Sequence, residues 1–252
     1  MTDLIFNHRS VRKFLDCPVE PELLSRILEA GCRASNTGNM QVYSIVVSQE
    51  QTMREQLWAL HLKQPCVLQA PVHLTFCADL NRFSLWCRQR QASPSYENFL
   101  WFYTATIDAS LMSQNVALAA EDAGLGICYL GTVNYEPMRF VELLELPRGV
   151  FPVAAMVLGY PDGSFPLTDR LPLEGMVHYE RYRDYDVGDI DRIYCEREQS
   201  EQTRTLLEVN QKQTLAQVFT ENRYPGETNL RCSKALWEAA CKQMGWKPAE
   251  PF

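Results

Sequence analysis

"VFPVAAMVLGYP", residues 150 to 161, is an almost unbroken apolar run that Gly159 and Pro161 stop. So short a run, with no helical period, reads as a strand buried on both faces. Working outward, "QVYSIVVSQ" (41 to 49), "PVHLTFCAD" (71 to 79) and the shorter "GICYLG" (126 to 131) carry the same β-branched and apolar character at strand length. Helical patterns alternate with them. In "VEPELLSRILEAGCRAS" (19 to 35), Pro21 suits an early position, Leu23, Leu24, Ile27 and Leu28 form one apolar face, and Gly31 is placed to end the helix. "TIDASLMSQNVALAAEDAG" (106 to 124) is a long helix closing at Gly124. Its many Ala and Ser residues let another backbone come close, which suits the centre of the molecule or of a dimer. "EPMRFVELLELP" (136 to 147) is a helix between two prolines, and a last helix, about 228 to 244, carries Leu230, Leu236, Trp237 and Ala240. Strands alternating with helices indicate an α/β or α+β sheet covered by helices.

Two stretches do not follow that rhythm. Residues 162 to 200 are polar, proline-bearing and rich in tyrosine, and a segment that long seldom lies idle in a compact protein. It is expected to form an extended arm over a neighbouring subunit or over the active site. Residues 81 to 103 hold Phe83, Trp86, Tyr96, Trp101 and Phe102. They read equally well as a lid excursion that sets the size of a ligand and as a helical excursion whose rings seal the domain.

Composition narrows the function. With 252 residues the chain can bury a large core. A formal net charge of -7 argues against broad nucleic-acid or anionic-membrane binding, because phosphate surfaces demand a basic face. No apolar run approaches the roughly 20 residues that cross a bilayer, and the N-terminus lacks a signal-like apolar core, so a cytoplasmic protein is expected. Nine cysteines without a CxxC pair fit a reducing compartment. Four histidines without HExxH or HxH spacing leave little from which to build a metal site.

Against that acidic background, "NHRSVRKF" (7 to 14) gathers His8, Arg9, Arg12 and Lys13 around Ser10. It reads either as a solvated first turn or as an anion site. In a helical reading, Arg9 and Arg12 share a face, and helix-start amides add to the attraction.

Four stretches in series then resemble one family. "HRSVRKF", "SNTGNMQVYSIVV", "LQAPVHLTFCADLNR" and "TDRLPLEGMVH" stand in the order and at roughly the spacing of the nitroreductase family, nearest its oxygen-insensitive NADPH nitroreductase and NADPH-flavin oxidoreductase group. The resemblance implies a single α+β domain over 1–252, built on a mixed sheet flanked by helices in an intertwined homodimer. It also implies noncovalent FMN at the dimer interface, with NADPH or NADH as reductant. Ping-pong hydride transfer to a small-molecule nitroaromatic, quinone or flavin acceptor follows, with the flavin doing the chemistry and no catalytic side chain required. A different class, an FMN-binding carrier or sensor with little turnover, is the alternative.

Residue by residue, the resemblance places His8, Arg9, Ser10 and Arg12 against FMN, where guanidinium forks suit its phosphate. Ser35 to Gln41 matches a loop that reaches the flavin from the partner subunit, with Asn36, Thr37 and Asn39 as contacts. The same composition would serve a plain helix-to-strand turn. Gln64 aligns with a residue at the isoalloxazine edge. Tyr129, Leu130 and Gly131 occupy the place where backbone packs against the ring, and a side chain at Gly131 would block close approach. Near the phosphate the family pattern has a Lys and an Arg two apart; here they are Thr168 and Arg170. Arg170 keeps its role, and FMN retention is expected to be weaker than usual unless a protonated His8 compensates. Arg197, Arg204 and Arg223 lie where contacts to the 2′-phosphate of NADPH are implied.

Overall fold

The computed structural model describes residues 3–247. It divides into one compact unit comprising Met1–Pro166 and Cys232–Phe252 and another comprising Leu167–Arg231. The first unit is built on strands β1 (Tyr43–Ser48), β2 (Val72–Asp79), β3 (Gly126–Leu130) and β4 (Val150–Gly159). Its helices are α1 (Asp3–Phe6), α2 (Pro21–Cys32), α3 (Gln51–Leu60), α4 (Pro65–Gln69), α5 (Asn81–Gln89), α6 (Phe99–Asp122) and α7 (Pro137–Leu143).

The strands pair antiparallel in the order β1-β2-β4-β3. β4 lies between two partners and has a packed core on each face, and that two-sided burial is why it reads as a continuous apolar run rather than an alternating one. Alternation of side chains sends Leu74, Phe76, Ile127, Met156 and Leu158 to one face, where they pack with Met112 and Val116 of α6 and Leu24 and Ile27 of α2. The opposite face carries Cys128, Leu130, Ala155 and Val157, covered by Leu57 of α3, Cys66 and Val67 of α4 and Phe140 of α7. Val11 and Phe14 from the N-terminal segment join this second core.

Three expectations need correction. Gly31 does not end α2: it is buried inside the helix, and a Cβ there would lie 2.3 Å from Val116 Cγ2. The missing side chain lets α2 approach α6. The long helix begins at Phe99, seven positions before 106, because the Asn98 side chain accepts the Trp101 amide at 3.1 Å and caps the start. Residues 8 to 14 are not helical. They run extended along β3, with a parallel bridge from Ser10 to Ile127 and a bond from Val11 N to Ile127 O of 2.8 Å. That bridge is the parallel element of an otherwise antiparallel sheet.

Within 81 to 103, Phe83, Tyr96, Trp101 and Phe102 pack against a third core with Val42, Ala78 and Phe151, while Trp86 is 53% exposed. Ring contacts at 5.4 Å (Phe83–Tyr96), 4.6 Å (Tyr96–Trp101) and 5.4 Å (Phe102–Phe151) link the segment to the core. In the second unit, an irregular stretch leads to α8 (Val187–Gln199), α9 (Glu201–Asn210) and α10 (Leu215–Gln217). A capping box between Asp186 and Asp189 starts α8. The buried Asp189 carboxylate then accepts from Arg183 at 3.0 Å and Arg192 at 2.7 Å. Helix α11 (Gly226–Met244) continues through residue 231.

Candidate functional site

The end of β3 is a meeting point in the first unit. Leu130 is buried in the second core, so only its backbone can face a ligand. Tyr129 points to the opposite side, 36% exposed, and donates to Ser113 Oγ at 2.9 Å. Burial pushes its phenol up from the usual tyrosine range. Gly131 follows at the start of a 3-10 turn (Gly131–Asn134), and a Cβ placed on it would meet nothing within 4 Å. Open space therefore lies before that backbone.

The extended segment 8 to 14 docks beside this strand. A strand alternates its faces, so Arg9 and Arg12 diverge instead of sharing a face. The Arg9 guanidinium donates to the Asn7 carbonyl at 3.0 Å and to the Phe165 carbonyl at 3.0 Å. It lines a cleft of about 420 Å³ with Asn7, Val11, Glu121 and Phe165. Arg12 is exposed and faces the neighbouring thiols of Cys66 and Cys128. A hydrogen bond from Cys66, reinforced by the Arg12 guanidinium, brings the Cys128 thiol down to about 7, while that same bond and burial push the Cys66 thiol up. Among the described residues neither Arg9 nor Arg12 has a carboxylate partner, which leaves both charges available to an anion. His8 Nδ1 lies 2.7 Å from Glu121 Oε1, so this ring is engaged by a carboxylate at the start of β3.

Gln64 reaches the same end of the sheet by another route. After α3, Leu62 and Lys63 both take left-handed backbone conformations, and this tight reversal delivers Gln64 to the start of α4. Its Nε2 donates to Thr132 Oγ1 at 3.4 Å, one residue beyond Gly131. Thr132 is in turn bonded to His61 Nδ1 at 2.7 Å, and His61 Nε2 lies 2.9 Å from His73 Nε2.

The loop from Ser35 to Gln41 is anchored elsewhere. Thr37 donates its amide and hydroxyl to the buried Asp108 carboxylate at 3.0 and 3.1 Å, and Asn36 Oδ1 accepts the Gln41 amide at 3.1 Å. Asn39 is exposed, takes a left-handed conformation and accepts from the Gln41 side chain at 3.2 Å. Asp108 and Ser113 sit about 140° apart around α6, so this loop and Tyr129 meet the helix on different sides. Within one chain, therefore, His8 and Arg9 lie at the start of β3 by Glu121 and Gly126, Ser10 pairs with Ile127, Arg12 reaches Cys128, and Gln64 meets Thr132 beyond the strand's far end, whereas Asn36, Thr37 and Asn39 hold their own loop against α6.

Arg170 belongs to the second unit, where its Nη1 donates to Thr168 Oγ1 at 2.7 Å and to the Asp169 carbonyl at 2.9 Å. The threonine in place of a lysine thus steadies the neighbouring arginine. Arg197 is paired with Asp169, and Arg223 lies 5.5 Å over the Phe219 ring, so both are already engaged within that unit.

Sequence reasoning missed Asp108, Glu121, Thr132, His61 and His73. Asp108 and Glu121 looked like polar positions of a long helix. The one available signal was a histidine inside an apolar strand, in "VHLTF", which tertiary contacts alone connect to His61. Chemically the strand offers two guanidiniums without carboxylate partners among the described residues, hydroxyls and amides beside exposed backbone, a donor set that fits a flat anionic cofactor with a phosphate tail.

Comparison with known proteins agrees. A family model described as "Nitroreductase family" matches residues 5–160. An FMN reductase [NAD(P)H] of Bacillus subtilis is 34% identical over 185 residues, covering 71% of this chain and 73% of that protein. An oxygen-insensitive NADPH nitroreductase of Salmonella typhimurium is 34% identical over 184 residues, covering 73% and 75%. The crystal structure of a Bacteroides fragilis protein, 42% identical, superposes with a TM-score of 0.96 over 98% of this chain and 100% of that one.

Proposed function

This chain belongs to the nitroreductase family, and from that premise we propose that it is an FMN-dependent oxidoreductase that takes hydride from NADPH, or NADH, and passes it in a ping-pong cycle to a nitroaromatic, quinone or flavin acceptor. The observation that supports this reading is that one strand, β3, carries the His8–Arg12 segment along its first residues and the Gln64 turn and the open Gly131 backbone at its far end. The activities of similar proteins, an FMN reductase and an NADPH nitroreductase, support the same reading.

When bound, FMN supplies the two-electron carrier between nicotinamide and acceptor. The chain's own residues position it. Arg9, Ser10 and Arg12 would hold the phosphate end through charge-assisted hydrogen bonds. Gln64 meets the ring edge, and the backbone of Leu130 and Gly131 lines one side without intruding. The partner subunit contributes Asn36, Thr37 and Asn39, whose loop is stiffened by Asp108. A homodimer is supported by α6, whose surface carries Leu100, Tyr103, Ile107 and Leu111 at 68, 56, 43 and 46% exposure, a stripe at helical spacing. No helix of the described residues is long and apolar enough to cross a membrane. Protons for the acceptor come from water.

The decisive measurement is an absorption spectrum of the purified protein before and after anaerobic addition of NADPH. A bound flavin that bleaches on addition, and regains colour when a quinone is supplied, is the expected result. Protein that stays colourless after incubation with FMN would defeat the assignment, and a bound flavin that NADPH and NADH leave oxidised would favour the carrier.

A further inference from the structure

Beneath Thr132 lies a polar pair that the proposed cofactor contacts do not use. His61 and His73 are both 0% exposed and sit in the apolar core of Leu57, Val67, Leu130 and Phe140, with the Phe140 ring 5.0 Å from His61. Burial holds both imidazoles far below the usual histidine range, at about 4 and about 3, so both are neutral. Two neutral rings in an apolar core bring desolvation costs that apolar side chains of like shape would avoid. Their Nε2 atoms are 2.9 Å apart, a hydrogen-bond distance and shorter than the roughly 3.3 Å between two nitrogens on one tetrahedral zinc.

Only one proton can occupy that 2.9 Å contact, so the pair has two arrangements. If His61 donates, its Nδ1 must accept the Thr132 hydroxyl proton, and His73 Nδ1 is left as a buried N–H. If His73 donates, His61 Nδ1 carries a proton and gives it to Thr132 Oγ1, while His73 Nδ1 is a bare acceptor. His73 Nδ1 has no hydrogen-bond partner; its own carbonyl is near enough to influence the ring but is not in hydrogen-bond geometry. Thr75, the next residue on the same face of β2, is about 7 Å along the strand and out of reach. Orphaned buried N–H groups are rarer and costlier than under-used acceptors, so the second arrangement prevails. Thr132 Oγ1 then accepts twice, from His61 at 2.7 Å and from Gln64 at 3.4 Å, and its own proton must point away from both.

We propose that His61 and His73 are positioning residues that hold the Thr132 hydroxyl as a fixed hydrogen-bond donor into the open space before Gly131, where an acceptor atom of the flavin ring lies. The inference rests on the FMN reading above. It adds to it a donor whose direction is set from inside the core, with no reorganisation when the charge on the ring changes.

Two measurements test it. Nitrogen-15 NMR of the cofactor-free protein, with labelled histidine, reads the tautomers directly: His61 should carry its proton on Nδ1 and His73 on Nε2. The opposite pattern overturns the proposal whatever the protein binds. FMN titration, followed by affinity and by the visible spectrum of the bound flavin, then compares Thr132→Val, Thr132→Ser, His61→Phe and the double variant Thr132→Val/His61→Phe. Thr132→Val should bind FMN about five- to tenfold more weakly, as for one lost neutral hydrogen bond, with shifted absorption bands. Thr132→Ser should stay within about twofold. His61→Phe should reproduce the Thr132→Val spectrum, and the double variant should be no worse than either alone. If Thr132→Val binds FMN like the wild type, or its effect adds to that of His61→Phe, the proposal falls while the family assignment stands. Wild-type protein that takes up no FMN overturns both. Should His61→Phe not fold, the half-buried Thr132→Val and the tautomer pattern still decide.

Discussion

Gly126 controls where the cationic segment lies. A Cβ on Gly126 would stand 2.5 Å from Val11 Cγ2, 2.6 Å from Val11 Cβ and 2.8 Å from Val11 Cγ1. Ordinary carbon contacts are about 3.5 to 4.0 Å, so in Gly126→Ala Val11 must retreat by about 1 Å. Because Val11 Cβ itself is too close, no rotamer of Val11 relieves the clash, and the backbone that bonds to Ile127 O has to move. Ser10 and Arg12 flank Val11 and would move with it. Overpacking of this kind costs about 1 to 3 kcal/mol of stability. Misplacing one charge-assisted hydrogen bond costs about 1.5 to 3 kcal/mol, so FMN should bind roughly 10- to 100-fold more weakly. Gly31→Ala is the control, since its Cβ meets Val116 Cγ2 in the opposite core. It should show a comparable loss in urea unfolding, with FMN affinity within about threefold of the wild type. Urea titration and fluorescence titration with FMN measure the two quantities separately. A folded Gly126→Ala protein that binds FMN as tightly as the wild type would refute the idea that this segment's position sets the site.

Arg12→Ala should weaken FMN binding about 10- to 100-fold, and Arg12→Lys should recover only part of it, because an ammonium lacks the fork geometry; equal affinity of all three proteins would remove Arg12 from the site. His61 and His73 have folded pKa values depressed below the unfolded 6.5, so the unfolded chain binds more protons between about pH 6 and 4, and stability falls as pH falls. The slope should be on the order of 2 to 3 kcal/mol per pH unit from this pair, and His61→Phe/His73→Phe should flatten it; urea midpoints that run parallel in both proteins would contradict this. Ile107→Lys combined with Leu111→Glu should halve the mass seen by sedimentation velocity and abolish FMN binding. An unchanged mass would mean that the exposed stripe on α6 is not the subunit contact.

Sequence alone sufficed for the four strands and for the helices near 19 to 35, 106 to 124, 136 to 147 and 228 to 244, because apolar period is a local property. Helices α3, α8 and α9 went unread, and α8 lies inside the stretch expected to be an extended arm. The run at 150 to 161 is β4, and the prolines and glycines around it mark real boundaries. It determined the family too, since four short motifs in series are far more specific than any one. What it could not reach were features set by neighbours distant in the chain. Residues 8 to 14 carry a helix-compatible pattern, yet they lie extended because Gly126 leaves a groove that Val11 fills. Gly31 looks like a helix end and is instead a contact with Val116. The pairing of His8 with Glu121, 113 positions away, and the chain from His73 through His61 to Thr132 exist only once the sheet is assembled. Tertiary structure decided these because hydrogen-bond polarity and close packing depend on distances of a few tenths of an ångström, which no spacing along a sequence encodes.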